Sequence, residues 1–271
     1  MKIMLFSKHL GELSVAEAGE VIADLGFDGV DLTVRPRGHV LPENASRELG
    51  GAIETLTGMG LAVPMITTGI TSASDPHATA IFEAAAQAGV SELKLGYWRY
   101  EGFGTIRAAI DGAARDLDGI ETLAQRTGMR AVIHNHSGNF VSALAPVVWQ
   151  LIADRDPAAV GAYADPGHLM VEGGLGGWRM ALDLLGDRIA VCAFKDYLWE
   201  TEADEGNKPH LVRVAKPLRE GMVPWPEVVG YLRDAGFDGW ISLHREYGVQ
   251  TVDAVRRDVA GDLAYLRDVL G

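Results

Sequence analysis

The sequence predicts an α/β fold, a single closed (β/α)8 TIM barrel over residues 1–271, on three observations: one repeated local unit, eight strands in its register, and no linker dividing the chain. The unit is an amphipathic stretch that ends at a glycine and is followed within a few residues by a short apolar run. Examples are Gly26-Phe27-Asp28-Gly29, Gly60-Leu61, Gly89-Val90, Gly128-Met129, Gly186-Asp187 and Gly236-Phe237-Asp238-Gly239. Glycine tolerates the left-handed conformation that closes a helix. The unbroken apolar run after it reads as a parallel strand buried on both faces. Eight alternating units in about 250 residues match the closed barrel in length, count and order. An open doubly wound sheet is the competing fold, but Phe6-Ser7-Lys8-His9 stands after the first strand in place of a Gly-x-Gly-x-x-Gly turn.

Taken in order, residues 3–6 form the first apolar run and 15–25 the first amphipathic stretch. Strands at 30–32, 62–66 and 92–95 then alternate with helical patterns at 43–59 and 77–88. A helix at 106–126 precedes the strand at 131–133, and one at 143–153 precedes the strand at 160–164. The helix at 178–185, the strand at 189–194, the helix at 226–235 and the strand at 240–243 complete the eight, and a helix at 251–270 closes the chain. The connection over residues 196–224 is exceptionally long, and loops this long are usually functional or disordered. In a barrel it falls on the C-terminal face, where active sites are built.

Composition narrows the class. With 48% hydrophobic and 23% charged residues, the chain can bury a sizeable core. Its 24 Lys and Arg against 37 Asp and Glu give a net charge of −13, which opposes a polyphosphate backbone and disfavours nucleic acid as a partner. The lone Cys192 allows no internal disulfide and sits among apolar neighbours. No signal-like segment and no run of eighteen apolar residues is visible, so the expected setting is cytoplasmic, with no membrane partner.

Four of the eight histidines, His134, His136, His168 and His244, fall at or just beyond the ends of the fifth, sixth and eighth strands. Asp165 ends the sixth, Lys195 ends the seventh, and Glu246 follows His244 by two residues, so that it points the same way if the extended backbone continues. A closed barrel aims these strand ends at one mouth. Each motif also has a structural explanation. His134-Asn135-His136 can be hydrogen-bonded core, Asp165-Pro166-Gly167-His168 makes a turn, and Lys195-Asp196 makes an ion pair or cap. His244 with Glu246 resists that explanation, because titratable groups ending an apolar strand need partners.

Converging His, Asp and Glu without cysteine suit one borderline divalent cation, Mn2+, Co2+ or Zn2+. Glu172-Gly173-Gly174-Leu175-Gly176-Gly177 reads as a flexible loop in preference to an anion cradle, since the Walker lysine is missing. Trp98, Arg99 and Trp199 follow strand ends, and aromatic faces at a barrel mouth suit a sugar ring or cover the rim from water. Arg99, Arg213, Arg219 and Arg245 each offer a charge to an anion.

At Leu25-Gly26-Phe27-Asp28-Gly29-Val30-Asp31-Leu32, His134-Asn135-His136-Ser137-Gly138, Asp165-Pro166-Gly167-His168, Phe194-Lys195-Asp196, Glu220-Gly221-Met222-Val223 and Gly236-Phe237-Asp238-Gly239-Trp240, the chain resembles the sugar phosphate isomerase/epimerase family. These are the xylose isomerase-like TIM barrels that also include endonuclease IV. Ketose epimerases of that family hold one metal through Glu, Asp, His and Glu, the two glutamates exchanging substrate protons. By resemblance Asp165 matches the aspartate and His168 a substrate-binding histidine. His134, Ala193 and His244 stand in the other three places, and a shift of two residues would bring His136 or Glu246 into them. The resemblance therefore implies a metal site of His134, Asp165 and His244.

These readings lead to a sugar isomerase or epimerase that abstracts a proton next to a carbonyl, with the enediolate stabilised by metal and Lys195. Glu246 is the expected base, with His168 or His136 as acid and Trp98, Arg99 and Trp199 as substrate contacts. Two alternatives stand beside it: a lyase eliminating from a keto sugar or keto-glycoside, and a non-catalytic sugar-binding subunit. The expected partner is a small carbohydrate, with self-association or membership of a heteromeric enzyme left open. Endonuclease-type phosphodiester cleavage is opposed by the net charge and by too few ligands for a metal cluster.

Overall fold

The expected strands meet in one closed parallel sheet. The computed structural model describes residues 1–204 and 206–271. Barrel strands β1 (Lys2–Phe6), β2 (Gly29–Val34), β3 (Ala62–Thr68), β4 (Glu92–Lys94), β5 (Arg130–His134), β6 (Val160–Ala164) and β7 (Ile189–Phe194) pair in sequence order. An antiparallel hairpin of β8 (Asp196–Ala203) and β9 (Pro209–Lys216) intervenes before β10 (Trp240–Leu243), which pairs with both β7 and β1 and closes the barrel. The helices are α1 (Val15–Asp24), α2 (Ala45–Gly58), α3 (Ala78–Gln87), α4 (Ile106–Thr127), α5 (Ala145–Ile152), α6 (Pro166–Leu185), α7 (Trp225–Asp234) and α8 (Val252–Leu270). Among the described residues, no helix is long and apolar enough to cross a membrane.

Local chemistry sets the helix ends. Ser14 and Glu17 form a reciprocal capping box at the start of α1. Gly128 closes α4 with φ of 71°, a conformation that costs a residue with a Cβ. Two apolar layers result. The larger lies between strands and helices, and a smaller one of Met4, Met65, Val132, Tyr163, Val191 and Ala193 fills the barrel interior.

The interior layer fixes the site by the two-residue period of a strand. Two positions beyond Val132, Tyr163 and Ala193 stand His134, Asp165 and Lys195, on the same inward side and nearer the C-terminal mouth. Ser242 leads to His244 in the same way, and Met65 to Thr67.

Two sequence expectations are corrected. Residues 196–224 do not form an irregular loop, because 196–203 and 209–216 pair in antiparallel register from Asp196 with Lys216 to Ala203 with Pro209. The glycine-rich run 172–177 is neither a free loop nor an anion cradle. It continues α6 from Pro166, with a kink at Gly174 where φ is 61°. Asp165 caps that helix by accepting from the His168 amide at 3.0 Å, so Asp165-Pro166-Gly167-His168 is a helix start and not an isolated turn. Gly167 is required there, since a Cβ would lie 2.4 Å from the Lys195 carbonyl oxygen.

Candidate active site

The barrel mouth gathers most of the reactive side chains around one aspartate. Asp165 is fully buried, and its Oδ2 lies 2.9 Å from His134 Nε2, 3.2 Å from Lys195 Nζ and 3.7 Å from His168 Nε2. Lys195 also lies 3.6 Å from Glu246 Oε2. Glu246 accepts from Tyr197 OH at 3.2 Å and has Lys8 3.7 Å away. Glu246 and His244 both line the cavity at the mouth, although the strand itself ends at Leu243.

Electrostatics divides these groups. Burial, followed by the neighbouring Lys195 charge, holds His134, His168 and His244 well below the ordinary imidazole value. The same two causes lower His136 to about 4. All four rings are therefore neutral near pH 7. Burial alone would raise the Glu246 carboxyl, but the Lys195 and Lys8 charges hold it well below the usual carboxylate range. Burial raises Asp165 against the opposing pull of Lys195.

Outer groups orient the rings. Tyr97 OH is 2.8 Å from His134 Nδ1, and Ser137 Oγ is 2.5 Å from His168 Nδ1. Arg213, reaching down from β9, donates to the same Ser137 hydroxyl. Arg213 Nη1 also lies 3.4 Å from His168 Nδ1, and His168 Nε2 stands 3.7 Å from Asp165 Oδ2. Among the described residues that Nε2 has no hydrogen-bond partner. A buried ring nitrogen left unpaired 3.7 Å from a carboxylate oxygen leaves a place for a cation between them.

That arrangement tests the fit of a divalent metal. His134 Nε2, Asp165 Oδ2 and His168 Nε2 all lie within 4.8 Å of one another, and all three residues are buried. Two neutral imidazoles and a carboxylate, with each ring's second nitrogen held by a hydroxyl, form a donor set suited to an open divalent site. The residues fit the group, with His168 in the place expected for His244. His244 lies elsewhere in the mouth: Tyr163 OH is 3.0 Å from its Nε2, Asp31 Oδ2 is 3.9 Å away, and its ring stacks on Phe6 at 4.4 Å.

A cavity of about 110 Å3 opens above this cluster. Lys8, Arg35, Lys94 and Lys195 line it with His134, His136, His244 and Glu246, so its lining is cationic although the chain is acidic. Lys8 and Glu246 also border a groove of about 750 Å3 along the rim. His136, half-buried, turns Nδ1 toward the Ser137 carbonyl at 2.9 Å.

The expected substrate contacts are not brought to this cavity. Trp98 is buried in the helix–sheet core and donates to Asp116 at 2.9 Å. Arg99 lies with its guanidinium 5.9 Å from the Phe140 ring. Trp199 stands 44% exposed on β8. Lys195 and Asp196 are not paired: Asp196 accepts from the Tyr197 and Met222 amides at 2.8 and 3.0 Å and from Trp225 Nε1 at 2.8 Å.

Sequence reasoning passed over Asp31, Lys94, Tyr97, Tyr163 and Tyr197. Two of them carried a signal, since Val30-Asp31-Leu32 and Leu93-Lys94-Leu95 each set a charge between apolar neighbours on an alternating strand. Asp31 accepts from Thr67 Oγ1 at 2.6 Å and Ser242 Oγ at 2.9 Å, and burial raises it to about 6. Lys94 is 3% exposed, with Nζ 3.5 Å above the Tyr97 ring. Burial, then the Arg35 charge, takes it well below the ordinary lysine value. A cation over an aromatic face regains about 1–2 kcal/mol, against a desolvation cost of several kcal/mol per ion. Desolvation is the larger effect, so burial shifts Lys94 toward the free amine despite the ring.

Comparisons with known proteins agree with this architecture. The fold is similar to the 3-keto-D-glucoside 4-epimerase YcjR of E. coli, at 16% identity over 99% of both chains and a TM-score of 0.74. It is also similar to the D-psicose 3-epimerase of Clostridium cellulolyticum H10 solved with D-tagatose, at 16% identity over 100% of this chain and 99% of that one, with a TM-score of 0.74. A xylose isomerase-like TIM barrel protein of Mycobacterium smegmatis in complex with magnesium superposes over 100% of this chain and 98% of its own, at 16% identity and a TM-score of 0.71. A comparison of the sequence with curated proteins finds no match. The family model described as xylose isomerase-like TIM barrel matches residues 20–268, nearly the whole chain, and the protein belongs to that family.

Proposed function

We propose that the protein is an enzyme of the sugar isomerase or epimerase type, moving a proton on the carbon next to a substrate carbonyl through an enediolate. The observation that carries this reading is the convergence of an ionised Glu246, the Lys195 ammonium and neutral imidazoles on one small cavity at the C-terminal mouth. Glu246 is the base, held near the cavity by Tyr197 and kept ionised by Lys195. Lys195 steadies the oxygen that gains charge. His136, neutral and half-buried in the same cavity, keeps its ring N–H on the Ser137 carbonyl and offers Nε2 to a substrate hydroxyl, while Glu246 itself returns the proton it has taken. We assign His134, Asp165 and His168 as the residues that hold a divalent cation, Mn2+, Co2+ or Zn2+ by their chemistry. When bound, such an ion supplies Lewis-acid polarisation of a carbonyl oxygen.

The substrate we propose is a small keto sugar or a keto-glycoside. Neutral imidazoles, phenols and lysines offer the donors and acceptors that sugar hydroxyls need. The rim groove sharing Glu246 and Lys8 favours a second reading, β-elimination from a keto-glycoside, because it leaves room beside the base for a departing group. The buried lone cysteine agrees with the cytoplasmic setting proposed for the chain.

Product analysis tests the proposal. The protein, supplemented in turn with Mn2+, Co2+ and Zn2+, is incubated with ketoses and 3-keto-glycosides and the mixtures are read by NMR. An epimer or an aldose–ketose pair is the expected product. An unsaturated ketone would move the assignment to the lyase reading. Saturable binding without any product would overturn both and leave a sugar-binding subunit.

A further inference from the structure

We propose that Lys94 is an amine nucleophile that condenses with the substrate's keto group, holding the carbonyl carbon as a lysine imine while the neighbouring proton is moved. The proposal rests on the α-proton transfer proposed above and gives that transfer an enamine route, in which the carbonyl oxygen leaves as water, in place of the enediolate.

The two buried lysines of the cavity differ in their surroundings. Lys195 has Asp165 at 3.2 Å and Glu246 at 3.6 Å, as an ammonium requires. Lys94 has no hydrogen bond and no carboxylate within ion-pair distance among the described residues, although it is 3% exposed and lines the cavity. Two acids, one on its own strand and one on β2, are engaged elsewhere. Glu92, two residues earlier on β4, is held by Arg130 at 3.0 and 2.7 Å, and Asp31 by Thr67 and Ser242. Arg35 and Lys195, which line the same cavity, oppose a further positive charge on Lys94, while Asp31 pulls the other way. Burial and these cations together favour the free amine. Desolvation beside a second cation is how a lysine becomes nucleophilic near neutral pH. The Tyr97 ring, 3.5 Å below Nζ, gives the amine an apolar seat and aims it at the cavity.

The step balances without an oxidant or reductant. The Nζ lone pair attacks the carbonyl carbon, and the C=O π pair passes to oxygen to give a carbinolamine. That oxygen leaves as water with the two hydrogens lost by the amine. Protonation of the resulting imine draws electrons from the adjacent C–H bond, so the proton passes to Glu246 and an enamine forms. Glu246 returns the proton to the enamine carbon, and hydrolysis of the imine so restored releases the ketone and the amine.

Reductive trapping tests this. The full-length protein is treated with dihydroxyacetone and sodium cyanoborohydride, and the adduct is located by peptide mapping in the wild type, which requires no variant to fold. The expected result is one reduced adduct per chain, on Lys94, formed equally with a chelator present, lost in Lys94→Met and kept in Lys195→Met. An adduct on Lys195, or adducts scattered over exposed lysines, would overturn it. Turnover of a ketose with no trapped adduct would also overturn it and leave the proton-transfer function standing. Trapping at Lys94 with no turnover of any keto sugar would sustain the nucleophile and overturn the function.

Discussion

At the residue scale, the choice between His168 and His244 decides what the mouth can hold. Both are neutral and buried, but only His168 presents an unengaged nitrogen toward Asp165. Removing a donor should cost stoichiometric Co2+ or Zn2+, so His134→Ala and His168→Ala are each expected to lose it in elemental analysis, while His244→Ala keeps it. Tyr97→Phe, which removes only the hydroxyl behind His134, should weaken binding by about tenfold. Loss of metal in His244→Ala with retention in His168→Ala would restore the triad implied by resemblance. His134, Asp165 and Glu246 were legible as strand ends; the partner of His168 was not. Ser137 and Arg213 lie 31 and 45 positions from it, and no spacing rule joins a serine after β5 to an arginine on β9.

The element that the sequence hid is the hairpin over the mouth. Its strands carry Glu200, Glu202, His210 and Arg213 on largely exposed positions, so the period-two pattern lacks the apolar face that marks a half-buried strand. Asp196 secures it, taking amide donors from both ends of the segment and the Trp225 indole. Gly221 lets the chain pass, since a Cβ there would fall 1.9 Å from Asp196 Cγ. Asp196→Ala strands those buried donors. A buried donor left without its partner costs roughly 1–3 kcal/mol, and the loss should concentrate in residues 197–203 and 209–216, seen as faster amide exchange there with the barrel strands unchanged. Uniform loosening of the whole sheet would contradict this account of the anchor.

On the scale of the whole molecule, glycine-capped helices and continuous apolar runs specify the barrel locally, which is why all eight barrel strands could be read in advance. The polar tie inside it was not legible, because Asp31 on β2 meets Thr67 on β3 and Ser242 on β10 only once the sheet has closed. The Asp31 carboxyl takes up a proton near pH 6 when folded and near 3.8 when unfolded, so the fold gains stability as pH falls between these values. Asp31→Asn forgoes that gain, and in denaturant titrations its cost should be larger at pH 5 than at pH 8 by on the order of 1 kcal/mol. The closed barrel also brings β6, β7 and the segment after β10 together, placing Glu246 beside Lys195 and Asp165. The central claim, that this mouth moves a carbon-bound proton next to a carbonyl, is tested most directly by incubating keto sugars with the protein in deuterated water and following the α-proton signal by NMR. The account predicts stereospecific exchange in the wild type and a loss of about 100-fold or more in Glu246→Gln with metal binding intact. Undiminished exchange in Glu246→Gln, or none in the wild type with sugars it binds, would contradict it.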